Sequence, residues 1–238
     1  MIYKYYSNLS EYAINNFIND KLCFSHVDQF NDSYEFNIQM EKALILPDSN
    51  ANKEKELIDL LKFKNRVACF SLSERLDNMW GYYANSDKGF CLGYDENEIM
   101  NIKGVCLRHV VYYSDIPIVS YEDSINNQEK LFVNMIGHKK AEWICEQEVR
   151  AILNVSPDMM DSYEKEPTNL DSDKYEWRLV PHIEAFGIDD DTMYRAIQKN
   201  MIVDLRPKEL IIGRRCDLEF GNKLRKIASD KSIPVFKR

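Results

Sequence analysis

No stretch of the 238-residue chain approaches the roughly 18 apolar residues that a membrane-spanning helix needs. The start, Met1-Ile-Tyr-Lys-Tyr-Tyr6, lacks the basic segment, apolar run and small-residue cleavage site of a secretory signal. Cytoplasmic residence, with no membrane partner, is the expectation. The cysteines Cys23, Cys69, Cys91, Cys106, Cys145 and Cys216 are scattered singly, with no Cys-x-x-Cys pair and no close histidine. They read as reduced packing residues, not as a disulfide framework or a zinc site. His26, His109, His138 and His182 fall in no metal-ligand spacing, so no metal is expected. There is no internal repeat, low-complexity tract or inter-domain linker, which points to a single domain over residues 1–238. A net charge of −8 disfavours broad nucleic-acid binding, which depends on neutralising phosphates over a wide surface.

What is present is an ordinary globular composition, 45% hydrophobic and 29% charged, enough for a substantial core. Residues 2–6 read as a strand. Ser10 caps a helix carrying Tyr12, Ile14, Phe17 and Ile18 on one face. Leu22–Ser25 reads as a second strand, Phe30–Glu35 as a turn, and 47–55 as a loop before an amphipathic helix at 54–63. Arg66–Ser71 is the next strand, and Asp77 is placed as N-cap of a helix bearing Met79, Trp80, Tyr83 and Ala84. Strands at Gly89–Tyr94 and Val105–Tyr113 flank a helical turn at 96–100, and a long helix is expected over 124–141. After a loop at 156–173 come a strand at 175–180, a helix near 190–199 and a closing strand-helix-strand unit at 209–213, 218–228 and 233–236.

A strand over Trp143–Leu153 carries the most suggestive chemistry. Period-two alternation puts Glu146, Glu148 and Arg150 on one face. Two glutamates are costly to bury unless paired, and Arg150 is a natural partner. The face is therefore a structural ion pair or a catalytic carboxylate pair. Trp80 and Tyr83, three residues apart on one helix, suit either a stacking wall or core packing. Ser71 and Ser73 suit ligand contact or turn capping. In Tyr3-Lys4-Tyr5, either the lysine or both tyrosines face inward; with the tyrosines inward, Lys4 stays solvated. Ile211-Ile-Gly213 lacks any phosphate-loop or dinucleotide fingerprint.

The order of motifs resembles that of a known family. Tyr3-Lys4-Tyr5, Phe24-Ser25, Phe30-Asn31-Asp32 with Glu35, Ala68-Cys-Phe-Ser71, Met79-Trp80-x-x-Tyr83-Ala84, Gly89-Phe-Cys-Leu-Gly93, Trp143-x-x-Glu146-x-Glu148-x-Arg150 and Ile211-Ile-Gly213 together resemble a bacterial family catalogued as domain of unknown function 2971. Ser33 replaces the family's usual proline, and Tyr82 its usual histidine.

A more distant resemblance is to the ADP-ribosyltransferase superfamily, carried by Tyr3-Lys4-Tyr5, by Phe70-Ser71 with Trp80 and Tyr83, and by Glu146-x-Glu148 in the same chain order. The first of these departs from that superfamily's usual His or Arg. The resemblance implies an α+β domain with a split, mostly antiparallel sheet flanked by helices. It also implies NAD as substrate, with an unknown acceptor. Glu148 would be the principal catalytic carboxylate, Glu146 would orient the acceptor, and Tyr3, Lys4, Tyr5, Ser71, Trp80, Tyr83 and Arg150 would surround the nucleotide. A role as a bacterial toxin or antiphage defence effector would follow from the same resemblance. Two alternatives stay open: a hydrolase using the Glu146/Glu148 pair, and a non-catalytic ligand-sensing or protein-interaction module.

Overall fold

The computed structural model describes residues 1–30, 39–40, 62, 65–115, 118–119, 133–154, 164–167 and 199–238. The expected elements at 47–55, 175–180 and 190–198, the body of the helix at 54–63 and residues 31–35 of the turn lie outside these residues.

Strand β1 (Ile2–Tyr6) leads into α1 (Glu11–Ile18). The Ser10 side chain accepts from the Ala13 amide at 3.2 Å and starts this helix. Its spacing buries Ala13, Ile14 and Phe17, while Ile18 is exposed, contrary to its expected place on the apolar face. There follow β2 (Lys21–His26), β3 (Gln39–Met40) and β4 (Asn65–Ser71). Helix α2 (Asp77–Tyr82) begins one residue earlier than expected. Asp77 is its first helical residue, its carboxylate engaged by Arg238 and not by a backbone amide. An acidic first turn suits the helix dipole equally well.

Next come β5 (Phe90–Tyr94), α3 (Glu96–Met100), β6 (Val105–His109) and β7 (Val111–Tyr113). The single strand expected over 105–113 breaks at Val110, whose amide donates to the Glu148 carbonyl at 3.0 Å. Beyond β8 (Ile118–Val119), the helix expected over 124–141 survives among the described residues only at 133–136. His138–Lys140 instead forms β9, pairing in parallel with β7. The expected strand at 143–153 is also shorter: Ala141–Glu146 is a 3-10 helix, Gln147 turns in the left-handed region at φ 47°, and β10 (Glu148–Asn154) follows. The chain then runs through β11 (Glu164–Pro167), which lies within the stretch read as a loop, and β12 (Lys199–Asp204), which begins where a helix was expected to end. It closes with β13 (Glu209–Ile212), α4 (Leu218–Asp230, capped by Asp217) and β14 (Val235–Lys237).

Among the described residues ten strands form one sheet, antiparallel except where β14 joins β13. The architecture is α+β with a mostly antiparallel open sheet flanked by helices. β4 is its pivot. One edge pairs with β10 along its whole length, from Asn65↔Asn154 to Ser71↔Glu148. The other edge is shared: β2 takes its beginning (Val67↔Ser25) and β1 its end (Ser71↔Tyr3). The sheet therefore forks at residues 68–70, with β2, β12 and β11 on one arm and β1, β5, β13 and β14 on the other.

Alternation gives the sheet two faces. One buries Phe70, Phe90, Leu92 and Val149 with Phe17 of α1 and Leu224 of α4. The opposite face buries Tyr5, Cys91 and Ile211 beneath Met79 and Trp80 of α2 and the adjoining Ala84. The register of Glu148 with Ser71 and Tyr3 puts Glu148 and Arg150 on this second face. None of the six cysteines forms a disulfide.

Candidate functional site

A cavity of about 200 Å³ opens at the fork. β1 contributes Tyr3, Lys4 and Tyr5, and β4 contributes Cys69 and Phe70. Phe30 enters from the segment after β2, Met79 and Tyr83 from α2 and its C-cap, and Lys139, Trp143, Glu146 and Glu148 from the β9–β10 region. Six of the nine residues expected at a site thus share one wall: Tyr3, Lys4, Tyr5, Tyr83, Glu146 and Glu148. The other three stand behind it.

Trp80 is wholly buried, donates its indole N–H to the Glu74 carbonyl at 2.7 Å, and meets Tyr5 edge to face at 5.2 Å. It braces Tyr5 and leaves the cavity face to Tyr83. Ser71 is buried and donates to the Glu146 carbonyl at 2.7 Å, holding the end of the 3-10 helix against β4. Arg150 is buried beside Glu148, which it meets through Nε to Oε1 at 2.8 Å and Nη2 to Oε2 at 3.0 Å. A third donor, Nη1, is spent on the Ile136 carbonyl at 2.7 Å. A forked guanidinium is suited to this two-point grip.

Glu146 reaches the cavity by a route other than strand alternation. It is the last residue of the 3-10 helix, and the left-handed Gln147 redirects the chain so that both glutamates face the same space. Lys139 joins them, its ammonium donating to Glu146 Oε2 at 2.7 Å and Glu148 Oε2 at 3.0 Å, with the Trp143 ring centroid 5.0 Å away. Tyr83 donates to Glu146 Oε1 at 2.7 Å, and the Tyr112 hydroxyl accepts from the Glu148 amide at 2.7 Å. Both glutamates and Lys139 are nearly inaccessible to solvent.

The charges follow from this environment. Burial alone would raise the Glu148 carboxyl, but Arg150 and Lys139 beside it outweigh burial and bring it down to about 2. Glu148 is accordingly an ionised carboxylate with fixed orientation. Burial first, and then the neighbouring Glu146 carboxylate, push the Tyr83 phenol well above the ordinary tyrosine value, so it remains a donor. Tyr112 is pushed up to about 12, chiefly by burial. Tyr5 is raised by burial and donates to the Ser73 carbonyl at 2.6 Å.

Lys4 is half-buried, not solvated. Its ammonium donates to the Cys69 carbonyl at 3.1 Å, within the fork where β4 pairs with neither β1 nor β2 and only its other edge, against β10, carries a strand. The Phe70 ring centroid is 5.6 Å away. A second cavity of about 510 Å³ adjoins the first across Tyr3, which lines both, and carries Glu74, Glu209, Lys237 and Arg238.

Lys139 and Trp143 had no place in the sequence-based site. Trp143 was at least visible as the first member of its motif. Lys139 was hidden inside a stretch read as helix.

Residues 79–151 match the model of a family described as "Protein of unknown function (DUF2971)". The matched stretch runs from α2 to the start of β10 and takes in Tyr83, Lys139, Trp143, Glu146, Glu148 and Arg150. No curated protein and no solved structure matches the chain.

Proposed function

We propose that the cavity at the fork binds a nucleotide, with NAD as the leading candidate, and acts on its N-glycosidic bond in the manner of an ADP-ribosyltransferase. The observation that carries this reading is a buried, ionised Glu148 on the wall of a cavity lined by aromatic rings. When nicotinamide leaves with the electron pair of the C–N bond, positive charge develops on the ribose. A carboxylate fixed in a dry pocket stabilises that charge without reorganising. Tyr83 and Trp143 offer flat faces to a heteroaromatic ring. Arg150 and Lys139 keep Glu148 ionised and oriented, while Glu146 would orient the acceptor nucleophile toward the ribose.

The size of the cavity accords with this division. Pockets for whole drug-sized ligands run to roughly 300–1,000 Å³. The nicotinamide ribose would fill the fork, and the remainder of the dinucleotide would extend toward the adjoining cavity beside Tyr3. A toxin or defence role stays with the resemblance that suggested it.

Lys139 favours a second reading. Each carboxylate already has a protein cation, so the pocket is suited to holding a ligand without turning it over, as a sensing module would. The hydrolase reading is supported less, because it needs a protonated member of the pair. Glu148 is held ionised and so does not supply it.

Incubating the full chain with NAD, with chromatography of the products and mass spectrometry of the protein, separates these readings. Release of nicotinamide above an enzyme-free control supports the glycosidic reading, with ADP-ribose on a protein marking transfer and free ADP-ribose marking hydrolysis. Binding without release supports sensing. Neither binding nor release contradicts the nucleotide assignment.

A further inference from the structure

The other charges of the cavity are mutually engaged: Glu146 and Glu148 are held by Lys139, and Glu148 also by Arg150. Lys4 differs from them. Its ammonium makes one hydrogen bond, to the Cys69 carbonyl, and lies within 6 Å of the Phe70 and Tyr6 ring centroids. Among the described residues no carboxylate lies within ion-pair distance of it.

A half-buried ammonium has three N–H donors, and partial desolvation makes an uncompensated charge costly. Donating to the Cys69 carbonyl uses one donor and none of the charge. A neutral side chain with a single donor would serve that structural purpose without the electrostatic cost. Lys4 also sits in the wall itself, between Tyr3 and Tyr5, whose side chains take the opposite face of the strand. Lys4 thus lines the cavity at the gap between the two arms of the sheet, where its ammonium reaches the Cys69 carbonyl.

We propose that Lys4 is an anion-recognition point, and that the ligand is a flat ring carrying an anionic group, a phosphate or a carboxylate, which Lys4 binds while the aromatic wall takes the ring. A charge-assisted hydrogen bond to a partly desolvated ammonium favours such a ligand over its neutral counterpart by about tenfold or more. The inference rests on the fork cavity being the ligand site, as in the nucleotide reading, but not on any bond being broken there.

Calorimetric titration of the full chain with two matched pairs tests it: AMP against adenosine for a phosphate, and nicotinate against nicotinamide for a carboxylate. In at least one pair the anionic member binds about tenfold more tightly than the neutral one. Lys4→Met abolishes the difference and leaves the neutral member's affinity within about twofold, while Lys4→Arg retains it. Thermal unfolding confirms that both variants are folded, and if Lys4→Met is not, loss of the preference in wild type at high salt replaces it as the criterion. The pair showing the preference identifies the anion. Equal affinities within both pairs, no binding of any of the four compounds, or a preference that survives in folded Lys4→Met would overturn the proposal. These outcomes are separable from failure of the glycosidic reading, because an inert protein that still prefers the anion supports Lys4 and not the chemistry.

Discussion

Replacing Glu148 by glutamine would test whether the buried charge cluster is coupled as its geometry implies. The substitution leaves the shape of the side chain but removes the negative charge that faces Arg150 and Lys139, whose side chains are 1% and 6% exposed. The amide oxygen can still accept one hydrogen bond, whereas the amide NH₂ presents donors to donors. Removing one partner of a buried pair costs about 3–5 kcal/mol. With the surviving acceptor, the lower end of that range, about 3 kcal/mol, is expected. For a chain of this length each kcal/mol lowers Tm by about 2–4 °C, so the midpoint should fall by about 6–12 °C. Calorimetric unfolding at pH 7 measures it. A double-mutant cycle makes the test specific: Lys139→Met removes one of the two cations that face Glu148, so the double variant should be less destabilised than the sum of the singles by about 1 kcal/mol or more. Strict additivity, with a loss under about 1 kcal/mol for Glu148→Gln alone, would refute the claim that these groups interact as buried charges. Activity measurements on Glu148→Gln accordingly belong well below its lowered midpoint.

Three further outcomes follow from particular contacts. Glu148 titrates at about 2 in the folded chain against an ordinary value near 4.5, so its contribution to stability is fully present above 4.5 and is lost as pH falls toward 2; the wild-type midpoint should drop more steeply across this range than that of Glu148→Gln, and parallel curves would argue against the shift. Ser71→Ala strands the buried Glu146 carbonyl and should cost about 1–3 kcal/mol in chemical denaturation, with no measurable loss contradicting the role of Ser71 in seating the 3-10 helix. Trp80→Phe loses the bond to the Glu74 carbonyl and the packing under Tyr5, so it should lower Tm by several degrees while changing ligand affinity less than about threefold; a large affinity loss at unchanged stability would place Trp80 on the wall after all.

Local signals made much of this fold legible. Ser10 and the apolar spacing after it marked α1, and the apolar runs at 66–71 and 90–94 marked β4 and β5, because capping and periodicity act over a few residues. The convergence of β1, α2 and β10 on one cavity was legible from the polar and aromatic groups that each segment sets beside an apolar strand. The route of Glu146 into the site was not: alternation placed it on a strand, and the left-handed turn that carries it falls on Gln147, a residue type that gives no warning of positive φ. Lys139 escaped for a different reason. Lys139-Lys140 fell at the end of the stretch read as helix, and its burial depends on the parallel pairing of β9 with β7, set by Val111, Tyr112 and Tyr113, far back in the chain. Trp80 and Tyr83 looked equivalent by spacing, but Trp80 lies within α2 while Tyr83 caps it, and only the latter faces the cavity. The fork was likewise hidden, since it arises from β1 and β2 sharing one edge of β4, a matter of register and not of composition.

The most direct test of the central claim, that the fork cavity is a nucleotide site organised around Glu148, is a structure of the full chain determined with a non-cleavable NAD analogue. Density is expected for the nicotinamide ring beside Tyr83 and Trp143, the ribose next to Glu148, and an anionic oxygen within hydrogen-bond distance of Lys4 Nζ. Well-ordered analogue bound elsewhere on the molecule, with the fork cavity holding only solvent, would contradict it.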